Sequence, residues 1–192
     1  MQPIEKALFK VIDEGLDSNY VYPQNEYLDD VFKTGNQIVN PFFGQNPQKI
    51  KFGYGTKKEL DIWLKDTTEK YPLVWLVYPL EEVYTNNPQS FYTYPRARLI
   101  FAINNTSDKL VNTRVQTTRF VLDQITGKFS ELMITSKFKK FIYVDKIVNV
   151  KETFRPNYSY NESQDKSSTI DVWDAITYDC DLHLIPNCIP KN

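Results

Sequence analysis

Apolar and polar residues alternate most regularly between positions 170 and 185. Ile176, Tyr178, Cys180, Leu182 and Leu184 fall on one set of alternate positions, and Ala175, Thr177, Asp179, Asp181 and His183 on the other. A period of two over this length predicts a strand with one buried face and one wet face, the kind found in antiparallel sheets. Elsewhere the period lengthens. Ile4, Ala7, Leu8, Val11 and Ile12 recur at helical spacing, Pro3 suits a first turn, and Gly15 a stop, which predicts a helix over 3–16. A second helix opens at Thr56, where T-K-K-E reads as a capping box, and buries Leu60, Trp63 and Leu64 before ending near Thr68. The longest helix spans 111–135, with Val115, Leu122, Ile125, Phe129 and Leu132 as its stripe and Gly127 as a bend or close approach. The matching apolar stripes predict that Trp173, Ile176, Tyr178 and Leu182 of the last strand pack against this helix.

Shorter runs predict further strands. Leu73–Tyr78 is almost wholly apolar and bounded by Pro72 and Pro79, as a central strand would be. Arg96–Asn104 alternates, with Ala97, Leu99, Phe101 and Ile103 on one face. Ile147–Arg155 is a third strand, and Lys49–Tyr54 a short one inside an irregular excursion over 17–55. A second excursion covers 80–95, and the polar stretch 156–169 reads as a flap. These elements predict one α+β domain over 1–192, with a mostly antiparallel sheet of about four strands packed against helices.

Composition narrows the function. The chain has 192 residues and a formal net charge of -1, so no global field draws it to nucleic acid or to a membrane surface. No run approaches the roughly 20 apolar residues of a membrane span, and the amino-terminal stretch lacks the apolar segment of a signal peptide. Cys180 on the apolar strand face and Cys188 beyond it read as reduced thiols. Thirteen Tyr and twelve Phe are many for this length, and the excursions hold a large share of them. Aromatic residues in loops without core periodicity need cover, which either their own domain, by the loops folding back, or a neighbouring subunit would provide. If a neighbour covers them, the candidate interface residues are Tyr84, Phe91, Tyr92, Tyr94, Phe42 and Phe43.

Candidate chemistry is sparse. The single histidine, His183, lies on the wet strand face, with no second His or Cys pair placed to complete a metal site. Asp171, Asp174, Asp179 and Asp181 read as strand carboxylates facing solvent or a neighbouring subunit. No phosphate-binding glycine loop, nucleophile elbow or dinucleotide fingerprint occurs. Neither catalysis nor a cofactor or metal is expected. Arg96 and Arg98, with Lys139 and Lys140 in the basic KFKKF segment, are the candidate phosphate contacts. They are the basis of an alternative reading as a soluble nucleic-acid-binding domain or enzyme.

Three segments carry a resemblance: the apolar strand PLVWLVYP, the strand–helix pair RARLIFAIN and TRVQTTRFVLDQITGKFSELM, and a last strand opening with Asp171, Trp173, Asp174, Ala175 and Ile176. Over about 73–185 the chain resembles the tail-terminator, or tail-completion, proteins of tailed bacteriophages and related head–tail neck rings. The resemblance implies a structural virion protein, made in the host cytoplasm. It would assemble with itself into a ring of six or twelve copies and stack on other neck, portal-side or tail rings. DNA would pass through the lumen without sequence-specific contact.

Overall fold

The computed structural model describes residues 2–16, 50–66, 71–86, 90–105, 118–135, 137–144, 150–156 and 172–189. Among these, helix α1 (Pro3–Gly15) precedes strand β1 (Lys51–Gly55), helix α2 (Lys57–Asp66) and strand β2 (Leu73–Val77). Strands β3 (Val83–Asn86) and β4 (Ser90–Asn105), helix α3 (Thr118–Thr135), and strands β5 (Ile142–Val144), β6 (Lys151–Arg155) and β7 (Val172–Leu184) follow. The architecture is α+β, with seven described strands in one mixed, mostly antiparallel sheet rather than about four.

The strand order is β1-β2-β4-β7-β5. β3 pairs with the early half of β4, and β6 pairs with the middle of β7. Only the β1–β2 pair is parallel, and α2 lies in the connection between these two strands. The centre is the long antiparallel pair β4–β7, which runs from Tyr92 opposite Leu184 to Asn105 opposite Val172.

The amphipathic pattern decides which face each helix covers. α1 buries Ile4, Ala7, Leu8, Val11 and Ile12, and α3 buries Val121, Leu122, Ile125, Phe129 and Met133, all in one cluster with Leu99, Phe101, Ile176, Tyr178, Cys180 and Leu182 of the sheet. Phe101, Phe129 and Tyr178 meet edge to face, with centroids 5.3, 5.9 and 5.6 Å apart. The Tyr178 hydroxyl lies 2.9 Å from Ser130 Oγ, and burial pushes its pKa up to about 12. Gly15 owes its place to close approach, because a Cβ there would lie 2.7 Å from Leu132 Cδ1 and 2.9 Å from Phe138 Cε2. A Cβ on Gly127 would meet nothing within 4 Å, so no close approach of another backbone calls for that glycine among the described residues.

α2 covers the opposite face, and only one end of it. Leu60 and Leu64 pack there with Leu73, Trp75, Ile100, Ala102, Trp173 and Ala175. The capping box forms as the sequence predicts: the Thr56 amide donates to Glu59 Oε2 at 2.6 Å, and the Glu59 amide donates to Thr56 Oγ1 at 3.4 Å. These hydrogen bonds hold the Glu59 pKa below the ordinary value.

Several expectations change. The excursion at 80–95 contains β3 and the first third of β4, so that strand begins at Ser90 and not at Arg96. Trp173 packs under α2 and not under the long helix, as its shared parity with Ala175 requires. Asp174, on the other parity, is fully buried instead of solvent-facing, and accepts from Thr118 Oγ1 at 2.7 Å at the start of α3. The KFKKF segment is a short 3-10 turn (Lys137–Lys140) whose Phe138, with Phe141, is buried, while Lys139 and Lys140 stay exposed. Phe42, Phe43, Val115, Asp171 and nearly all of the 17–55 excursion and the 156–169 flap lie outside the described residues.

Candidate functional site

Among the described residues α2 covers one end of its sheet face and no other helix covers the rest, and the register brings charged residues together there. Arg98 of β4 stands opposite Asp179 of β7, and Asp179 stands opposite Lys151 of β6. Residues opposite each other in a sheet share a face, so the three form a row across three strands. Arg98 forks onto Asp179, with Nε to Oδ1 at 2.6 Å and Nη2 to Oδ2 at 3.1 Å. Lys151 makes no ion pair among the described residues.

Just before this row, β4 bulges. Between the Tyr94–Leu182 and Ala97–Cys180 pairs it carries two residues, Pro95 and Arg96, against the single Asp181. Arg96 has φ 52°, the left-handed region that glycine occupies without strain, and its amide donates to Asp181 Oδ1 at 2.8 Å. The Arg96 side chain is exposed. The segment from Val77 to Glu81, which leads from β2 to β3, lines an open cleft of about 500 Å³ with Pro95, Arg96, Arg98, Lys151 and Asp179. Three cations and two carboxylates line it.

Further along the same face His183 is held rather than presented. Its Nδ1 lies 3.1 Å from Thr93 Oγ1, its ring stacks on Tyr143 at 4.9 Å, and Phe91 lies 6.2 Å away. Among the described residues no group of three or more His, Cys, Asp and Glu side chains is placed to hold a metal ion, and no helix is long and apolar enough to cross a membrane.

A second surface is the β3–β4 ribbon. Tyr84 is 52% exposed and Val83 45%, and the Tyr84 ring lies 5.0 Å from Tyr92. Phe91 and Tyr92 are half-buried. Tyr94 leaves the candidate interface set. It is a core residue, 3% exposed, whose hydroxyl donates to Glu82 Oε2 at 2.8 Å. Burial, helped by Glu82, raises its pKa, so it remains a donor. Phe9 and Tyr54 are also exposed, and Phe9–Phe52, Phe52–Tyr54 and Tyr54–Tyr78 follow one another at 6.5, 6.2 and 6.4 Å, an aromatic line beside α1. At the end of this line the Tyr78 hydroxyl donates to the buried Glu5 at 2.6 Å.

Of the four basic candidates, Arg96 and Arg98 share the cavity, whereas Lys139 and Lys140 do not line it. Lys151 completes it. Sequence reading missed this lysine because only the β6–β7–β4 register brings position 151 beside 98. No protein-family model, curated protein or solved structure matches the chain.

Proposed function

We propose that this protein is a subunit of a homo-oligomeric ring in the head–tail connector or tail of a tailed bacteriophage, where it joins or closes the DNA conduit. The observation that carries the reading is the aromatic ribbon. β3 has β4 as its strand partner and exposes Val83 and Tyr84 by about half, beside Tyr92. An exposed strand carrying large apolar side chains is a surface that proteins normally cover. In a ring, each copy presents such a surface to a different surface of the next copy until the circle closes. An α+β sheet under a long helix is also the fold class that the resemblance to tail terminators implies. In this reading six or twelve copies stack on other virion rings, and DNA crosses the lumen without sequence-specific contact. A nucleic-acid-binding domain built on Arg96, Arg98, Lys139 and Lys140 has less support, because Arg98 is forked onto Asp179 and the lysines lie on a separate element.

The test is native mass spectrometry with negative-stain imaging, on the isolated chain and on particles that contain it. Closed rings are expected, and Val83→Ser with Tyr84→Ser should leave a folded protein that no longer closes them. Scattered single copies in particles, with no rotational symmetry around the conduit, would overturn the reading.

A further inference from the structure

We propose that the open end of the sheet face is a binding site for a small organic phosphate, with Arg96 and Lys151 holding the phosphomonoester and the Val77–Leu80 segment holding an apolar remainder. The proposal does not depend on the ring reading. It starts from the cavity of about 500 Å³, within the roughly 300–1,000 Å³ typical of small-molecule sites. Its wall is apolar (Val77, Pro79, Leu80), and its floor is the row Arg98, Asp179 and Lys151. Such a combination suits a ligand with one charged end.

The charges define that end. Asp179 neutralises Arg98 and fixes its guanidinium. Arg96 and Lys151, which make no ion pair among the described residues, then face Glu81, an excess of one positive charge among the lining side chains, with the Asp181 carboxylate just outside the lining at the Arg96 amide. That suits a single phosphate better than a polyanionic strand, which calls for an extended basic surface. Three phosphate oxygens can accept from a guanidinium and an ammonium together.

The backbone at Arg96 is the second observation. A glycine would adopt φ 52° without strain, yet the position carries an arginine whose side chain is exposed beside the cavity. Asp181 holds the bulge in place through the Arg96 amide. The strain is intelligible if the guanidinium has a ligand to meet.

The experiment is titration calorimetry of the full chain with adenosine monophosphate, inorganic phosphate, adenosine and a single-stranded oligonucleotide. Adenosine monophosphate should bind saturably and more tightly than either phosphate or adenosine alone. Arg96→Gly should weaken it about tenfold or more, as expected for loss of a charge-assisted contact, while the thermal midpoint stays equal or rises because the strain is gone. Lys151→Gln should weaken it several-fold. Absence of saturable binding overturns the proposal, as does unchanged affinity in Arg96→Gly. An oligonucleotide that binds more tightly than the monophosphate and displaces it also overturns it, in favour of a strand contact. Ring closure, read by native mass, should be the same in both variants, which separates this test from that of the ring.

Discussion

Replacing Gly53 by alanine tests how tightly the face under α2 is packed. Gly53 pairs in parallel register with Trp75, and the six-membered ring of the indole lies against it. A Cβ at position 53 would lie 2.4 Å from Trp75 Cζ3 and 2.5 Å from Cε3, distances that real Cβ atoms do not tolerate. The indole has nowhere to go. It is 3% exposed, its Nε1 donates to Gly55 O at 3.2 Å, and Trp63 packs at 6.0 Å. Overpacking of this kind costs about 1–3 kcal/mol. Displacing the ring also sacrifices a hydrogen bond of about 0.5–1.5 kcal/mol. Alanine returns about 0.5–1 kcal/mol of backbone entropy relative to glycine. The balance is a net loss of about 2 kcal/mol, with extremes of about 0.5 and 4. Urea unfolding followed by circular dichroism, with tryptophan emission as a second probe, measures it. In a Trp75→Phe background the second ring of the indole is gone, and the Gly53→Ala penalty should shrink. A Gly53→Ala protein as stable as wild type, or a penalty that is the same in both backgrounds, would refute the reasoning.

Other outcomes follow from single positions. Gly127→Ala, in an exposed turn of α3 with open space around the new Cβ, should stabilise by up to about 1 kcal/mol, read by chemical denaturation. Burial, and then the charge of Asp123, raises the pKa of Glu152 despite the Thr126 hydroxyl, so the folded state holds that proton to higher pH than the unfolded chain and stability falls as pH rises through this window. Glu152→Gln should therefore stabilise the fold near pH 7, by less than about 1 kcal/mol given solvent screening, read by chemical denaturation, and the difference should vanish below the ordinary carboxylate range. A thiol reagent should modify Cys188 at once and Cys180 only on unfolding, because Cys180 is buried and burial raises its thiol pKa.

Much of the fold was legible where one period runs unbroken. The alternation of β7, the apolar stripe of α1, that of α3 from Leu122 onward and the capping box at Thr56 all appear in the structure. The beginning of β4 was not legible, for a definite reason. Tyr92 and Tyr94 face the helices from even positions, whereas Ala97, Leu99, Phe101 and Ile103 do so from odd ones. The two-residue bulge at Pro95 and Arg96 changes the phase, so a search for steady alternation stops at the break and leaves 90–95 as loop. Trp173 joins Ile176, Tyr178 and Leu182 by apolar character, but its parity is that of Ala175, which puts it on the opposite face. The cavity was only half visible, since Arg96 and Arg98 are neighbours in sequence but Lys151 joins them through pairing between distant strands.

The pairing of β4 with β7 also sets an order of events for the chain as it is made. The partners are separated by 67 positions at Asn105–Val172 and by 92 at Tyr92–Leu184. By contrast β1, α2 and β2 lie within residues 51–77 and can pair early. Closing such distant segments is entropically slow. Until β7 emerges from the ribosome, β4 keeps an open edge of unpaired backbone groups beside the apolar Leu99, Phe101 and Ile103, and such edges template association between chains. A nascent chain stalled before Val172 should therefore accumulate in the aggregate fraction, while release of the full chain in the same translation reaction should yield soluble protein.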